Sequence, residues 1–245
     1  MGLTICTEAW RALTKKVWRA EEIKASQGEG IKMTYLSPDG EENYPGNLKV
    51  TLLYLLNENN ELFIQYLATA DKKTVVSLTN HNYYNLTGCK ENVLNHVLQI
   101  EADHITELGE HQIPTGKYIS VAGTPFDFNR PRLIGENIKE VEGGYDHNFV
   151  LKNHNKQVRQ AAVLSDAACG RKIEFMTDSP GIQLYTSNGM QGVAGRNGIT
   201  YNQYWGVCLE TQMFPDTPNK PSFPSCVLNP GEEFVNRTVL KLGLI

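Results

Sequence analysis

The stretch that decides the fold is NLKVTLLYLLNENNELFIQYLATADKKTVVSLT, residues 47–79. Its two long apolar runs, 47–56 and 61–68, flank Asn57-Glu-Asn-Asn, a connection with the length and composition of a β-hairpin loop. Both runs are built from Val, Ile, Leu, Tyr and Phe, which suit a pleated, half-buried surface. Residues 74–79 read as a third strand and run straight into Asn80-His-Asn-Tyr-Tyr-Asn-Leu-Thr-Gly.

Outward from this stretch, further strands are expected at 96–101, 148–151, 158–164, 172–177, 182–186, 226–228 and 233–242. On the N-terminal side, Ser37-Pro-Asp-Gly and Tyr44-Pro-Gly are turn signals. Trp10, Leu13, Val17 and Trp18 recur at helical spacing, although Lys15-Lys-Val-Trp-Arg reads equally as a strand edge. The chain has 245 residues with 11 Pro and 21 Gly, many short strand-like runs and few long helical patterns. The expected fold class is all-β, a large antiparallel β-sandwich. No internal repeat, low-complexity tract or linker interrupts it, so residues 1–245 read as a single domain.

Composition excludes several functions. A net charge of -4 and a pI near 5.9 give no electrostatic footprint for nucleic acid or an anionic membrane. No run approaches the roughly 18 apolar residues of a membrane-spanning helix. MGLTICTEAWRALTKK lacks a charged segment followed by an apolar stretch, which argues against secretion. The cysteines at 6, 89, 169, 208 and 226 are scattered, with no CxxC pair. They point to a reducing compartment rather than to a disulfide framework or a zinc site. In that setting the sequons at Asn85 and Asn236 are chance matches. The expectation is a soluble cytoplasmic protein with no cofactor and no metal.

Chemistry concentrates in GVCLETQMFPDTPNKPSFPS, residues 206–225. Val207, Cys208 and Leu209 read as a buried strand with Glu210 at its end, and the prolines at 215, 218, 221 and 224 form a stiff loop on a rim. A carboxylate held there is desolvated and made more basic, suited to taking a proton near neutral pH. The alternative is a surface glutamate beside a turn. His81, set among amides and aromatics, fits a proton donor or a hydrogen-bonded structural histidine. Asp146 follows two glycines that bring the chain close to something, or else it forms an Asx turn. Gln183 lies on the opposite face of its strand from Ile182 and Leu184, as a ligand group or a solvent-facing amide. One histidine, two carboxylates, an amide and several aromatics suit a neutral, hydroxyl-rich ligand such as a sugar. No GxGxxG, P-loop, GxSxG or HExxH motif is present. His147 and His154 have no partner at metal spacing and read as surface or structural histidines.

Six motifs together carry a resemblance. They are Asn80-His-Asn-Tyr-Tyr-Asn-Leu-Thr-Gly, Ile113-Pro-Thr-Gly, Thr124-Pro-Phe-Asp-Phe, Gly144-Tyr-Asp-His-Asn-Phe-Val-Leu, Gln183-Leu-Tyr-Thr-Ser-Asn and Cys208-Leu-Glu-Thr-Gln with Phe214-Pro-Asp. In this order the chain resembles the aldose 1-epimerases (galactose mutarotases) over roughly residues 12–242. The resemblance implies a β-sandwich of galactose mutarotase type with a sugar cleft across one face. It implies interconversion of the α and β anomers of free hexoses such as galactose and glucose, with no cofactor. By motif, Glu210 matches the base at the anomeric hydroxyl and His81 the acid at the ring oxygen. Asp146 and Gln183 match positions that hold sugar hydroxyls, and Tyr83 a further position beside the histidine.

The resemblance starts near Arg11. The family's Asn-Arg pair and its second histidine, near a Leu-His-Gly-Gly motif, have no counterpart in MGLTICTEAW. The expectation is therefore an N-terminally shortened sandwich, with self-association through exposed sheet edges. The runner-up to the enzyme is a catalytically impaired sugar-binding or truncated member. An epimerase of phosphorylated hexoses ranks last, because Arg130 and Arg132 lie by a proline in an expected loop rather than clustered in a cleft.

Overall fold

The computed structural model describes residues 13–245. Trp10 and Cys6 lie outside the described residues. Two sheets dominate, and every pairing within them is antiparallel.

The nine-stranded sheet runs, in spatial order, Arg19–Ala25, Gly28–Ser37, Leu48–Leu56, Glu61–Ala70, Phe234–Leu244, Arg171–Thr177, Arg159–Asp166, Val97–Ile100 and Arg132–Leu133. The five-stranded sheet runs Cys208–Gln212, Gly181–Tyr185, Asp146–Leu151, Ala102–Leu108 and Pro114–Ser120. The expected hairpin is present, with Leu56 paired to Leu62 across the Asn57 turn.

One buried cluster joins the sheets. Leu52, Ile64, Leu98, Ile100, Leu164 and Phe175 come from the larger sheet, and Ile105, Phe149, Leu151, Ile182, Leu184 and Leu209 from the smaller. Burying one such side chain contributes roughly 1.5–3 kcal/mol, so this interface is the main source of stability. Side chains alternate along a strand, so each core residue sends its neighbours to the outer face. On the smaller sheet that outer face is polar, and it carries the site.

Three expectations are corrected. From Leu13 the tryptophan-spaced region is a single 3-10 turn, Leu13–Lys15, followed by the strand Arg19–Ala25. Trp18 packs on Tyr35 with ring centroids 5.6 Å apart, which ties the segment to the sheet instead of to a helix. The strand expected at 74–79 pairs only at Thr74–Val75, with Val227–Leu228. Glu210 does not end its strand: pairing continues through Thr211 and Gln212 to Ile182 and Gly181.

Candidate active site

Register assembles the site. Asn148 is opposite Gln183, and Gln183 is opposite Glu210, so three polar side chains form a row across three strands. The next row is Asp146, Tyr185 and Cys208. The intervening Phe149, Ile182, Leu184 and Leu209 face the core. Gly181 lies on the polar face at one end, where a Cβ would come within 2.5 Å of Asn148 Oδ1 and 2.8 Å of Phe214. Phe214 and Phe223, from the proline-rich loop, pack against each other and against Tyr118 beside this end of the face.

Residues 79–84 bring His81 to the sheet edge. Thr79 Oγ1 donates to the Thr211 carbonyl at 3.0 Å, and Tyr84 N to the Val207 carbonyl at 2.8 Å. Val207 N returns a bond to the Tyr84 carbonyl at 3.0 Å. The segment thus runs along the exposed edge of Cys208–Gln212 and covers it. His81, midway, meets Glu210, midway: Nε2 lies 3.4 Å from Oε1. Its ring stacks on Tyr83 at 5.1 Å and meets the edge of Tyr185 at 6.3 Å.

Glu210 is 3% exposed. Burial first, and the charge of Asp146 second, push its carboxyl up to about 8. Burial also raises Asp146, opposed by the bond that Gln183 Nε2 donates to its Oδ1 at 2.7 Å. The Cys208 thiol is raised by burial, with Glu210 and Asp146 adding to it. The polar face is thus a desolvated pocket in which two carboxyls resist ionising together. Gln183 Oε1 and both amide atoms of Asn148 are buried with no protein hydrogen-bond partner. Buried polar atoms of this kind are normally satisfied by ligand or water.

All five expected site residues come together here: Glu210, His81, Asp146, Gln183 and Tyr83. Their neighbours Tyr185, Cys208 and Asn148 were not singled out. Each lies two residues from one that was, so strand alternation alone could have found them. The donor atoms of His81, Cys208 and Glu210 lie within 4.8 Å of one another, a metal-capable set that sequence spacing does not reveal. His147 is structural: its ring lies 4.6 Å from Phe126, and burial pushes it down to about 4. Arg132 is committed to the Pro125 carbonyl and the Phe128 ring. A surface cavity of about 680 Å³ bounded by Gly123, Arg130 and Glu136 contains none of the site residues. The site is therefore assigned on its chemistry.

Two packed antiparallel sheets, with this polar row on the smaller, define a sugar-epimerase type of β-sandwich. A galactose 1-epimerase from Lactobacillus acidophilus superimposes with a TM-score of 0.81 at 30% identity, covering 94% of this chain and 67% of that one. An aldose epimerase homologue from C. elegans gives a TM-score of 0.83 at 26% identity, covering 94% and 70%.

The family profile described as aldose 1-epimerase matches residues 9–241, and the chain belongs to that family. It is 43% identical to a galactose mutarotase from Bos taurus over 218 residues, which are 88% of this chain and 63% of the bovine one. With a galactose mutarotase from Homo sapiens it shares 40% over 237 residues, 96% of this chain and 68% of the human one. The chain thus spans about two thirds of the length of these relatives.

Proposed function

We propose that this chain is an aldose 1-epimerase that interconverts the α and β anomers of free hexoses such as galactose and glucose. The observation that carries the reading is the pairing of buried Glu210 with His81 at 3.4 Å, on a face that also presents Asp146 and Gln183.

Glu210, in its ionised form, takes the proton of the anomeric hydroxyl. His81 gives a proton to the ring oxygen as the bond from that oxygen to the anomeric carbon breaks. The product is the open-chain aldehyde. Rotation about the bond between C1 and C2 presents the other carbonyl face. Return of both protons closes the ring as the other anomer, so the pair ends in its starting state. Burial makes Glu210 a stronger base than a surface carboxylate, and each such group contributes about 10²–10⁴-fold. Asp146 and Gln183 hold sugar hydroxyls: their mutual bond fixes the amide, and Gln183 Oε1 accepts from the sugar. Tyr83 provides an apolar wall stacked on His81.

The same reading takes residues 1–245 as one domain, supported by the continuous core between the sheets. It places the protein in the cytoplasm, on the scattered cysteines. It includes self-association through the sheet edge at Arg19–Ala25, beside exposed Ile31 and Leu36. Among the described residues no helix is long and apolar enough to cross a membrane.

The test is the decay of optical rotation of fresh α-D-galactose with the parent protein and with Glu210→Gln. Acceleration by the parent alone supports the enzyme and its base. A folded parent that leaves the spontaneous rate unchanged overturns the reading and leaves a sugar-binding protein.

A further inference from the structure

A ring nitrogen of His81, the Sγ of Cys208 and a carboxylate oxygen of Glu210 lie within 4.8 Å of one another. This is a mixed nitrogen, sulfur and oxygen donor set, the chemistry that zinc favours. The His81 to Glu210 separation of 3.4 Å is long for a hydrogen bond. It matches the edge of a coordination tetrahedron: bonds of about 2.0–2.1 Å from one ion to both atoms put them about 3.3–3.4 Å apart. Edges to sulfur in the same tetrahedron are about 3.6 Å, so closing the set moves Sγ or the imidazole by little more than about 1 Å. His81 can supply that movement, because its side chain is 36% exposed and sits on a segment outside the regular strands.

The surroundings favour a cation. Cys208 is on the polar face, opposite Tyr185, which is itself opposite Asp146. Asp146 and Glu210 both act electrostatically on the thiol. A divalent ion there would neutralise a buried cluster that is otherwise entirely acidic apart from His81. Three protein ligands leave a fourth position open to water.

We propose that His81, Cys208 and Glu210 form a binding site for a thiophilic divalent cation of the zinc type, and that an ion held there blocks sugar isomerisation. The sulfur–metal bond forms as the thiol proton leaves to solvent. The ion occupies at once the lone pair of Glu210 and the nitrogen of His81, so neither can move a proton. Binding is independent of the isomerase reading; only the block rests on it.

The test titrates the full chain, freed of metal by a chelator, with zinc against a chromogenic competitor and with cobalt(II) by absorption. The expected result is one ion per chain and a thiolate-to-cobalt charge-transfer band. Galactose in excess should weaken the apparent zinc affinity. Cys208→Ser and Cys208→Ala should abolish the band and weaken zinc by at least about tenfold. His81→Ala should weaken zinc to a similar degree. No stoichiometric binding, or a cobalt band that persists in both Cys208 variants, overturns the site. Binding with this signature that leaves the parent's rate unchanged overturns the block. A parent with no isomerase activity that still binds zinc with this signature refutes the functional reading and leaves the metal site standing.

Discussion

Replacing Glu210 with Gln should stabilise the protein at neutral pH while removing its activity. The folded carboxyl titrates at about 8 against an ordinary value of 4.5, with burial as the main cause. Below the lower value both folded and unfolded chains are protonated there, and the group costs nothing. As pH rises toward 8 the unfolded chain ionises first, so stability is progressively lost. At pH 5 the loss is about 1 kcal/mol, at pH 7 about 3 kcal/mol, and above the folded value it levels off near about 5 kcal/mol. At 3% exposure little of this is screened by water. Glutamine has nearly the shape of the protonated acid and never ionises, so it escapes the whole loss.

The expected signature is a difference between variant and parent that grows with pH. For a chain of this size, about 3 kcal/mol raises Tm by about 6–12 °C at pH 7. Urea unfolding of both proteins at pH 5, 7 and 8.5, with a chelator present, measures it through a shift in midpoint at constant slope. Groups common to both proteins cancel, apart from Asp146 and Cys208, whose own repulsion from Glu210 also disappears in the variant. A difference that stays flat from pH 5 to pH 8.5, or a parent more stable than the variant at pH 8.5, would refute a carboxyl held neutral by burial. The predicted trade is the usual one at an active site, where a group kept for chemistry costs stability.

The inflection that Glu210 puts on the pH profile of galactose anomer interconversion, at about 8, should move down in Asp146→Asn, which removes the neighbouring charge. Polarimetry across pH checks this, and an unmoved inflection would assign the titration to another group. His81→Gln should cut the rate by about 10²–10⁴-fold while leaving the thermal midpoint nearly unchanged, since the side chain is 36% exposed; a large fall in Tm would mark a structural histidine instead. Gly181→Ala should destabilise by about 1–3 kcal/mol in a denaturant melt, because its Cβ would meet Asn148 Oδ1 at 2.5 Å and Phe214 at 2.8 Å. A neutral result would mean that the aromatic cover over this end of the face is loosely held.

The strands legible in the sequence were those with an apolar face and a turn beside them. Leu48–Leu56 and Glu61–Ala70 are the clearest case, paired across Asn57 to Asn60. Arg19–Ala25 was illegible because RAEEIKA is an exposed edge strand, held by backbone pairing to Gly28–Ser37 and offering almost no apolar pattern. Ala102–Leu108 was missed for a different reason. Ile105 faces the core, while its neighbours belong to the polar face, and Thr106 is fully buried there. A strand whose polar face is exposed at His104 but buried at Thr106 does not show the alternation of a strand between core and water. Residues 76–79 have strand composition but leave the ladder after Val76 N donates to the Cys226 carbonyl, and Thr79 bonds instead through its side chain to the Thr211 carbonyl and through its carbonyl to the Tyr66 hydroxyl. At the site, each residue alone had an ordinary reading. His81, Asp146, Gln183 and Glu210 come from segments up to 129 positions apart, so before the register was known they were joined only by their suiting one hydroxyl-rich ligand and by the family resemblance.

That register makes the site a by-product of the core. Ile182, Leu184 and Leu209 must face inward, and alternation then leaves Gln183 and Glu210 no choice of face. A slip of one residue that turned Gly181–Tyr185 over against Cys208–Gln212 would bury Gln183 in the core and expose Ile182 and Leu184, and one that turned Cys208–Gln212 over would bury Glu210 and expose Leu209. At roughly 1.5–3 kcal/mol for each aliphatic residue, before any cost of burying the amide or the carboxyl, either slip is closed off. Placement of the base relative to Gln183 and Asp146 therefore needs no dedicated scaffold. What alternation cannot place is His81, which lies on no strand. Its position depends on the Thr79 bond to Thr211 and the paired bonds of Tyr84 with Val207, which pin the segment along the edge strand on both sides of the histidine. The carboxylate is thus fixed by the hydrophobic core, and the imidazole by three hydrogen bonds at a sheet edge. In the proposed reaction the imidazole, on a segment outside the strands, is the half that follows the ring oxygen as it moves away from the anomeric carbon.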